Sequence, residues 1–208
     1  KKLEYRGYDS AGIATLSSGS INEIKSEGRV DNLEKNLLVQ KMEGTIGIGH
    51  VRWATHGIPS SLNAHPHSSQ NVSVVHNGII ENSSELKKIL EKEGKTFKSQ
   101  TDTEVITVLL TEKLKNTEPL EAVFKTLGLL KGSFALGIIF KNYKDFVIGA
   151  RRGSPLAVGY SNSENYLGSD SYALKSMTNK ISYLDDGDVC VLSKDEIKFY
   201  NSNKDKIN

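Results

Sequence analysis

A single cysteine, Cys190, stands in the 208 residues, which rules out an internal disulfide framework and fits a reducing compartment, the cytoplasm by default. Prolines number only four, and no repeat or Pro/Gly/Ser-rich linker divides the chain, so one domain is the simplest organisation. Long apolar runs are missing too. The longest, Phe134 to Phe140, is far too short to span a bilayer, and KKLEYRGYDS at the start has no apolar signal-peptide core. Charge of one sign is not in excess: 27 basic against 25 acidic residues leave +2, and the two kinds are interspersed. No basic patch for nucleic acid follows from that, and no membrane attachment either. What remains is a globular chain long enough to bury a substantial core. The start at Lys1 and the polar stretch 201–208 read as the ends of a piece of something longer, with 201–208 opening a linker.

What the chain does have is concentrated. All five histidines (His50, His56, His65, His67, His76) and the only tryptophan, Trp53, fall between His50 and Asn82. Arg52, Thr55, Asn63 and the dipeptide Asn77-Gly78 share that stretch. A function is to be sought there.

Around it the elements can be placed in order. Apolar runs at 12–16 and 21–25 flank Ser17-Ser18-Gly19-Ser20 as a hairpin. Asp31 with Glu34, Asn82 with Glu85, and Thr101 with Glu104 read as capping boxes for three helices. Pro119 opens a further helix through Leu130, and Thr45 to Ala54 reads as a buried strand. Val72–Val75 and Ile79-Ile80 flank Asn77-Gly78, which by spacing alone is foremost a two-residue hairpin turn. After Gly132 the texture changes to short strands at 133–140, 145–151, 156–160, 165–168, 181–184, 188–192 and 196–200, with a short helix near 173–177. Hairpins, then helices, then hairpins are not the alternation of a parallel sheet. The expected class is α+β, antiparallel sheets with helices on their outer faces.

The chemistry of the polar residues leaves alternatives open. The Asn77 amide and the Gly78 N–H could point together at a developing oxyanion. Arg52 could clamp a carboxylate and Asp102 an ammonium, although a helix-start charge is the commoner role for such an aspartate. His56, His65 and His67 could gather a metal, but no HExxH, paired cysteine or suitably spaced carboxylate supports it. Arg152-Gly153-Ser154-Pro155 reads as a turn between strands, and Cys190 as an inert strand residue.

Taken together, the motifs carry a resemblance. LEYRGYDSAGIA (3–14), GHVRWATHG (49–57), NAHPH (63–67), VVHNGIIEN (74–82) and TDTEV (101–105) are similar to the glutaminase (class II glutamine amidotransferase) domain of the glucosamine-6-phosphate synthases, the glutamine–fructose-6-phosphate aminotransferases. RRGSPLAVG (151–159), GSD (168–170) and YLDDGDVCVL (183–192) extend the match over nearly the whole chain. Amidophosphoribosyltransferases share the fold, but the YRGYDSAG, RWATHG and NAHPH forms point to the glucosamine-forming branch. The resemblance implies an N-terminal-nucleophile hydrolase fold, a four-layer α/β/β/α sandwich with antiparallel sheets. It implies a domain over 1–200 ahead of a sugar isomerase region, in a protein that dimerises largely through that region.

The implied reaction is hydrolysis of the glutamine side-chain amide through a glutamyl thioester on an N-terminal cysteine. The ammonia is delivered to fructose 6-phosphate on the isomerase region, with no cofactor and no metal. Carried over by position, Arg52 binds the α-carboxylate of L-glutamine and Asp102 its α-ammonium. Asn77 and Gly78 form the oxyanion hole, and Arg6 lies near the nucleophile. Thr55 and His56 belong to a loop that closes over glutamine, His65 helps hold the pocket, and Trp53 stands between the pocket and the ammonia passage. The nucleophile has no counterpart here: in the family about twenty residues, beginning with the cysteine, precede the LEYRGYDSAG segment. A truncated, non-catalytic glutamine-binding or regulatory domain is therefore the alternative expectation.

Overall fold

A computed structural model describes residues 2–54 and 57–207; Thr55 and His56 lie outside the described residues. A single turn of 3-10 helix at Glu4–Arg6 leads into β1 (Ser10–Ser17) and β2 (Ser20–Glu27), joined where Ser18 and Gly19 both take positive φ. Helix α1 (Val30–Val39) follows, then β3 (Ile46–Arg52), which pairs with the other side of β1. Next come β4 (His67–Ser68), β5 (Val72–Ile80), and the helices α2 (Ser83–Lys92), α3 (Thr103–Lys113) and α4 (Pro119–Leu127). The second half supplies β6 (Gly132–Phe140), β7 (Phe146–Arg152), β8 (Ala157–Tyr160) and β9 (Asn165–Gly168). After the short α5 (Ser171–Leu174) come β10 (Lys180–Tyr183), β11 (Val189–Ser193), β12 (Ile197–Tyr200) and β13 (Lys206–Ile207).

Every strand pair is antiparallel. A seven-stranded sheet runs β13-β12-β11-β7-β6-β5-β4, and two three-stranded sheets run β2-β1-β3 and β10-β8-β9. Alternation along β6 shows how the layers assemble. Phe134, Leu136, Ile138 and Phe140 face the helices and pack with Leu86, Leu90, Ile106, Leu110 and Val123. Ala135, Gly137 and Ile139 face the opposite way, towards both small sheets. Glycine at 137 matters for spacing: a Cβ there would lie 3.0 Å from Val75, with Ile48 of β3 and Leu167 of β9 closing over it. Outside the β2-β1-β3 sheet, α1 lays Leu33 on Ala11 and Ile24. The result is helix, sheet, sheet, helix. Each fully buried Leu, Ile or Phe contributes about 1.5–3 kcal/mol to holding these layers.

Two local expectations are corrected. Asn77-Gly78 is no hairpin turn: it lies inside β5, with Asn77 opposite Ala135 and Gly78 opposite Phe134. The apolar runs on either side belong to one strand, buried on both faces over Val72–Val74 and again at Ile80, so the polar pair interrupts a strand rather than separating two. The capping boxes also fail in detail. The residue before α3 is Asp102, not Thr101, and the Glu104 carboxylate accepts from the Lys98 and Ser99 N–H groups (2.8 and 2.6 Å). Asn82 does precede α2, but its side chain spans Leu129 O and Lys131 N (both 2.9 Å) and ties the helix start to the end of α4. Arg29, not Asp31, precedes α1.

Candidate active site

A cavity of about 430 Å³ opens where the ends of β3 and β5 meet the start of α3. Arg6, His50, Arg52, Trp53, His65, Asn77, Gly78 and Asp102 line it, so the site residues named from the sequence that can be placed come together. Thr55 and His56 lie outside the described residues.

Arg52 ends β3 and is only 4% exposed. A cation so buried needs partners. Asp9 stands 3.6 Å away, and the guanidinium donates to Gly57 O at 3.3 Å. Asp9 is itself held, accepting from the Ala54 N–H and from Ser10 Oγ (2.8 Å). No spacing rule links residue 9 to residues 52 and 54, and sequence reading missed this role for Asp9. Replacing Asp9 by asparagine removes the countercharge while keeping the shape. It is expected to leave the buried Arg52 without its countercharge and to lower Tm by several degrees, as thermal unfolding would show.

Asp102 sits just ahead of α3 and is 8% exposed, with Oδ2 accepting from the Ile80 N–H at 2.8 Å. That bond fixes the carboxylate beside the end of β5, one strand residue from Ile79 and two from Gly78. Gly78 has φ of 122°, a conformation favouring glycine, and a Cβ built on it would lie 2.1 Å from Ser133 O. The Asn77 side chain projects into the space between the sheets, where Oδ1 accepts from His50 Nε2 at 2.8 Å. Arg6, which also lines the cavity, is anchored by Asp170 at 2.6 Å, and the Tyr5 hydroxyl donates to the same carboxylate oxygen at 2.8 Å. The Tyr172 N–H, Tyr5 and Arg6 together hold the Asp170 carboxyl below its ordinary range. Trp53 lies at the rim, 60% exposed, edge-on to Tyr8 with ring centres 5.6 Å apart.

His50, His65, His67 and His76 form a largely buried scaffold. His65 Nδ1 accepts from the His76 N–H (3.3 Å) and its Nε2 meets Thr103 Oγ1 (3.3 Å), which also bonds His76 Nδ1 (2.9 Å). His67 Nε2 bonds Thr101 Oγ1 at 2.9 Å. These bonds fasten the NAHPH loop to the first residues of α3. Among the described residues no three His, Cys, Asp or Glu side chains gather as a metal site. Burial, reinforced by neighbouring cations and imidazoles, holds the rings neutral: His50 falls to about 4, His67 to about 3, and His65 well below its ordinary 6.5. Because these folded-state values are depressed, the unfolded chain binds more protons below pH 6.5. Stability is therefore expected to be steady above pH 6.5 and to fall by several kcal/mol as pH drops towards 4. Denaturant midpoints at pH 7.5 and 5.0 check this; a flat profile contradicts it.

Cys190 lies in β11, fully buried against Gly149, and burial pushes its thiol up to about 12. It does not line the cavity. It is expected to resist thiol reagents in the folded protein and react only on denaturation, as labelling followed by mass analysis would show. Ser154 and Pro155, read from the sequence as part of a plain turn, do line the cavity.

Comparison with solved structures defines the class. The fold is that of the N-terminal-nucleophile hydrolase amidotransferases: glutamine phosphoribosylpyrophosphate amidotransferase from B. subtilis superposes with a TM-score of 0.82 and 25% identity, over 99% of this chain and 45% of that one. Residues 50–176 match the family model described as "Glutamine amidotransferase domain", and the chain belongs to that family. It is 50% identical over 208 residues to a glutamine–fructose-6-phosphate aminotransferase (isomerizing) of Mesorhizobium japonicum, and 52% identical over 204 residues to that of Brucella suis. All of this chain is covered in the first case and 98% in the second, but only 34% of each relative. The chain thus spans about a third of the length of the curated relatives it matches.

Proposed function

We propose that this chain is the glutaminase part of a glucosamine-6-phosphate synthase, releasing ammonia from L-glutamine for use on fructose 6-phosphate. The observation that carries the reading is one cavity holding a buried cation, Arg52, and a buried carboxylate, Asp102, with the Asn77-Gly78 pair between them in sequence and all four on its wall. That set suits a zwitterionic amino acid whose side-chain amide reaches a donor pair.

In the proposed reaction Arg52 takes the α-carboxylate and Asp102 the α-ammonium of glutamine. A thiol attacks the amide carbon. A C–S bond forms and the carbonyl electrons move onto oxygen, where Asn77 Nδ2–H and Gly78 N–H donate to the oxyanion. Collapse expels ammonia, which takes the thiol's proton by way of the nucleophile's own α-amine, and water then cleaves the thioester to glutamate. The thiol is assigned to an N-terminal cysteine on a segment ahead of Lys1, since buried Cys190 cannot serve. A second cavity, about 170 Å³, lies between the outer edges of β3 (Gly47–Gly49) and β9 (Leu167, Gly168) and shares Asn77, His50 and Arg6 with the first. Arg6 then lies beside the nucleophile, Thr55 and His56 close over glutamine, His65 stiffens the pocket, and Trp53 screens the ammonia exit.

The domain is assigned to 1–200, with the following residues leading to the sugar isomerase region, in a homodimeric cytoplasmic protein. No helix among the described residues is long and apolar enough to cross a membrane. The test is steady-state glutamate release by the full-length protein. Arg52→Ala is expected to raise KM for glutamine about a hundredfold with a much smaller change in kcat. An unchanged KM would remove Arg52 from the binding site and the reading with it.

A further inference from the structure

We infer that His50 is a positioning residue that fixes which way the Asn77 amide points, and so decides whether the cavity presents a donor or an acceptor to the substrate's oxyanion. The inference rests on the proposed glutaminase reading and deepens it.

A side-chain amide is nearly symmetric in shape. Turned one way, Asn77 offers Nδ2–H to the cavity and stabilises negative charge. Turned the other way, it offers Oδ1 and repels it. The strand backbone does not choose between the two. The choice falls to whatever binds the far side of the amide, and that group is His50 Nε2, 2.8 Å from Oδ1. Asn77 Nδ2 has no acceptor among the described residues, and the side chain lines the cavity.

His50 can hold this orientation only as a donor, which requires its proton on Nε2. The structure enforces that. Its other nitrogen, Nδ1, is shut off from solvent and makes no well-formed hydrogen bond among the described residues, the His76 backbone beside the ring offering at most a poorly aligned one. A proton there would be a buried unsatisfied donor, and Nε2 would then face Oδ1 lone pair to lone pair. Burial keeps the ring neutral, so a single proton is shared between the two sites and Nε2 takes it. The ring is also held in place. It stacks on His65 with centres 4.3 Å apart and planes 23° from parallel. His65 is in turn pinned by the His76 N–H and Thr103 at 3.3 Å each. His50 comes from β3 and Asn77 from β5, in facing sheets, so the contact also sets the separation of the sheets at the cavity.

The experiment compares His50→Leu, which removes the donor at similar volume, with His50→Gln, whose amide N–H can reach the position of Nε2, in the full-length protein. Glutamate release should show kcat reduced about tenfold to a hundredfold in His50→Leu, KM for glutamine within about threefold of wild type, and kcat largely restored in His50→Gln. Affinity for glutamate γ-semialdehyde, an aldehyde forming a tetrahedral adduct, should fall by the same factor as kcat while affinity for glutamate is kept. Retained glutamate binding also certifies a folded pocket. If the leucine variant is insoluble, His50→Asn, one methylene too short to reach Asn77, takes its place. Equal kcat in wild type and His50→Leu would overturn the inference. So would equal loss in His50→Leu and His50→Gln, or parallel loss of aldehyde and glutamate binding. A wild-type protein releasing no glutamate would instead overturn the reading beneath it.

Discussion

Asn77→Ala is expected to lower kcat for glutamate release by about two to three orders of magnitude while leaving KM for glutamine nearly unchanged. The reasoning is positional. Asn77 lies on the face of β5 turned between the sheets, its Oδ1 is occupied by His50, and Nδ2 is left for the cavity. In the proposed binding mode Arg52 and Asp102 hold ground-state glutamine at its α-groups, and those contacts survive the substitution. What is lost is a donor needed only when the amide carbonyl becomes an oxyanion, and a loss confined to that moment appears in kcat. A large rise in KM with kcat preserved would place Asn77 in substrate binding instead.

Gly78→Ala should damage both stability and activity. The added Cβ would lie 2.1 Å from Ser133 O and 2.8 Å from Ser133 C, and both are strand backbone that cannot give way without breaking the β5–β6 ladder. Positive φ at 122° adds strain to the clash. A loss of roughly 3 kcal/mol or more is expected, seen as a lowered Tm, together with at least a hundredfold fall in kcat as the N–H is displaced. Gly94→Ala separates the two causes. Gly94 also has positive φ, at 80°, but a Cβ there meets nothing within 4 Å, so only about 1 kcal/mol of strain applies and activity should be untouched. Equal Tm values for the two variants would contradict the clash.

The seven strands β6 to β12 could be read from the sequence to within a residue or two, because each is short, apolar and bounded by polar turns such as Asp185–Asp188; β13, in the polar stretch read as the start of a linker, could not. Helices outside antiparallel sheets could be read from the order of elements, but the stacking of sheet on sheet was legible only through the resemblance, since alternation tells which residues of β6 are buried on each face but not what covers them. Asn77-Gly78 misled for a physical reason. The pair suits positive φ wherever it occurs, and a local pattern cannot show that Phe134 and Ala135, more than fifty residues on, complete the ladder beside it. The capping boxes misled similarly: Glu104 and Asn82 have stronger partners supplied by tertiary structure. In the site, the residues that line the cavity stood in recognisable motifs. Those that hold them, Asp9 for Arg52, Asp170 for Arg6 and His50 for Asn77, are joined only by folding.

The central claim, that this cavity serves a thiol-based glutaminase, is tested most directly by trapping the nucleophile. The full-length protein would be incubated with a glutamine-analogue alkylator, with and without excess glutamate, and the modified residue located by peptide mass mapping. The expected result is one equivalent of label on an N-terminal cysteine ahead of Lys1, protected by glutamate, with glutamate release abolished and Cys190 unmodified. Protein that binds glutamate but takes no label and releases none from glutamine would contradict the account, and would identify a glutamine-binding domain without catalysis.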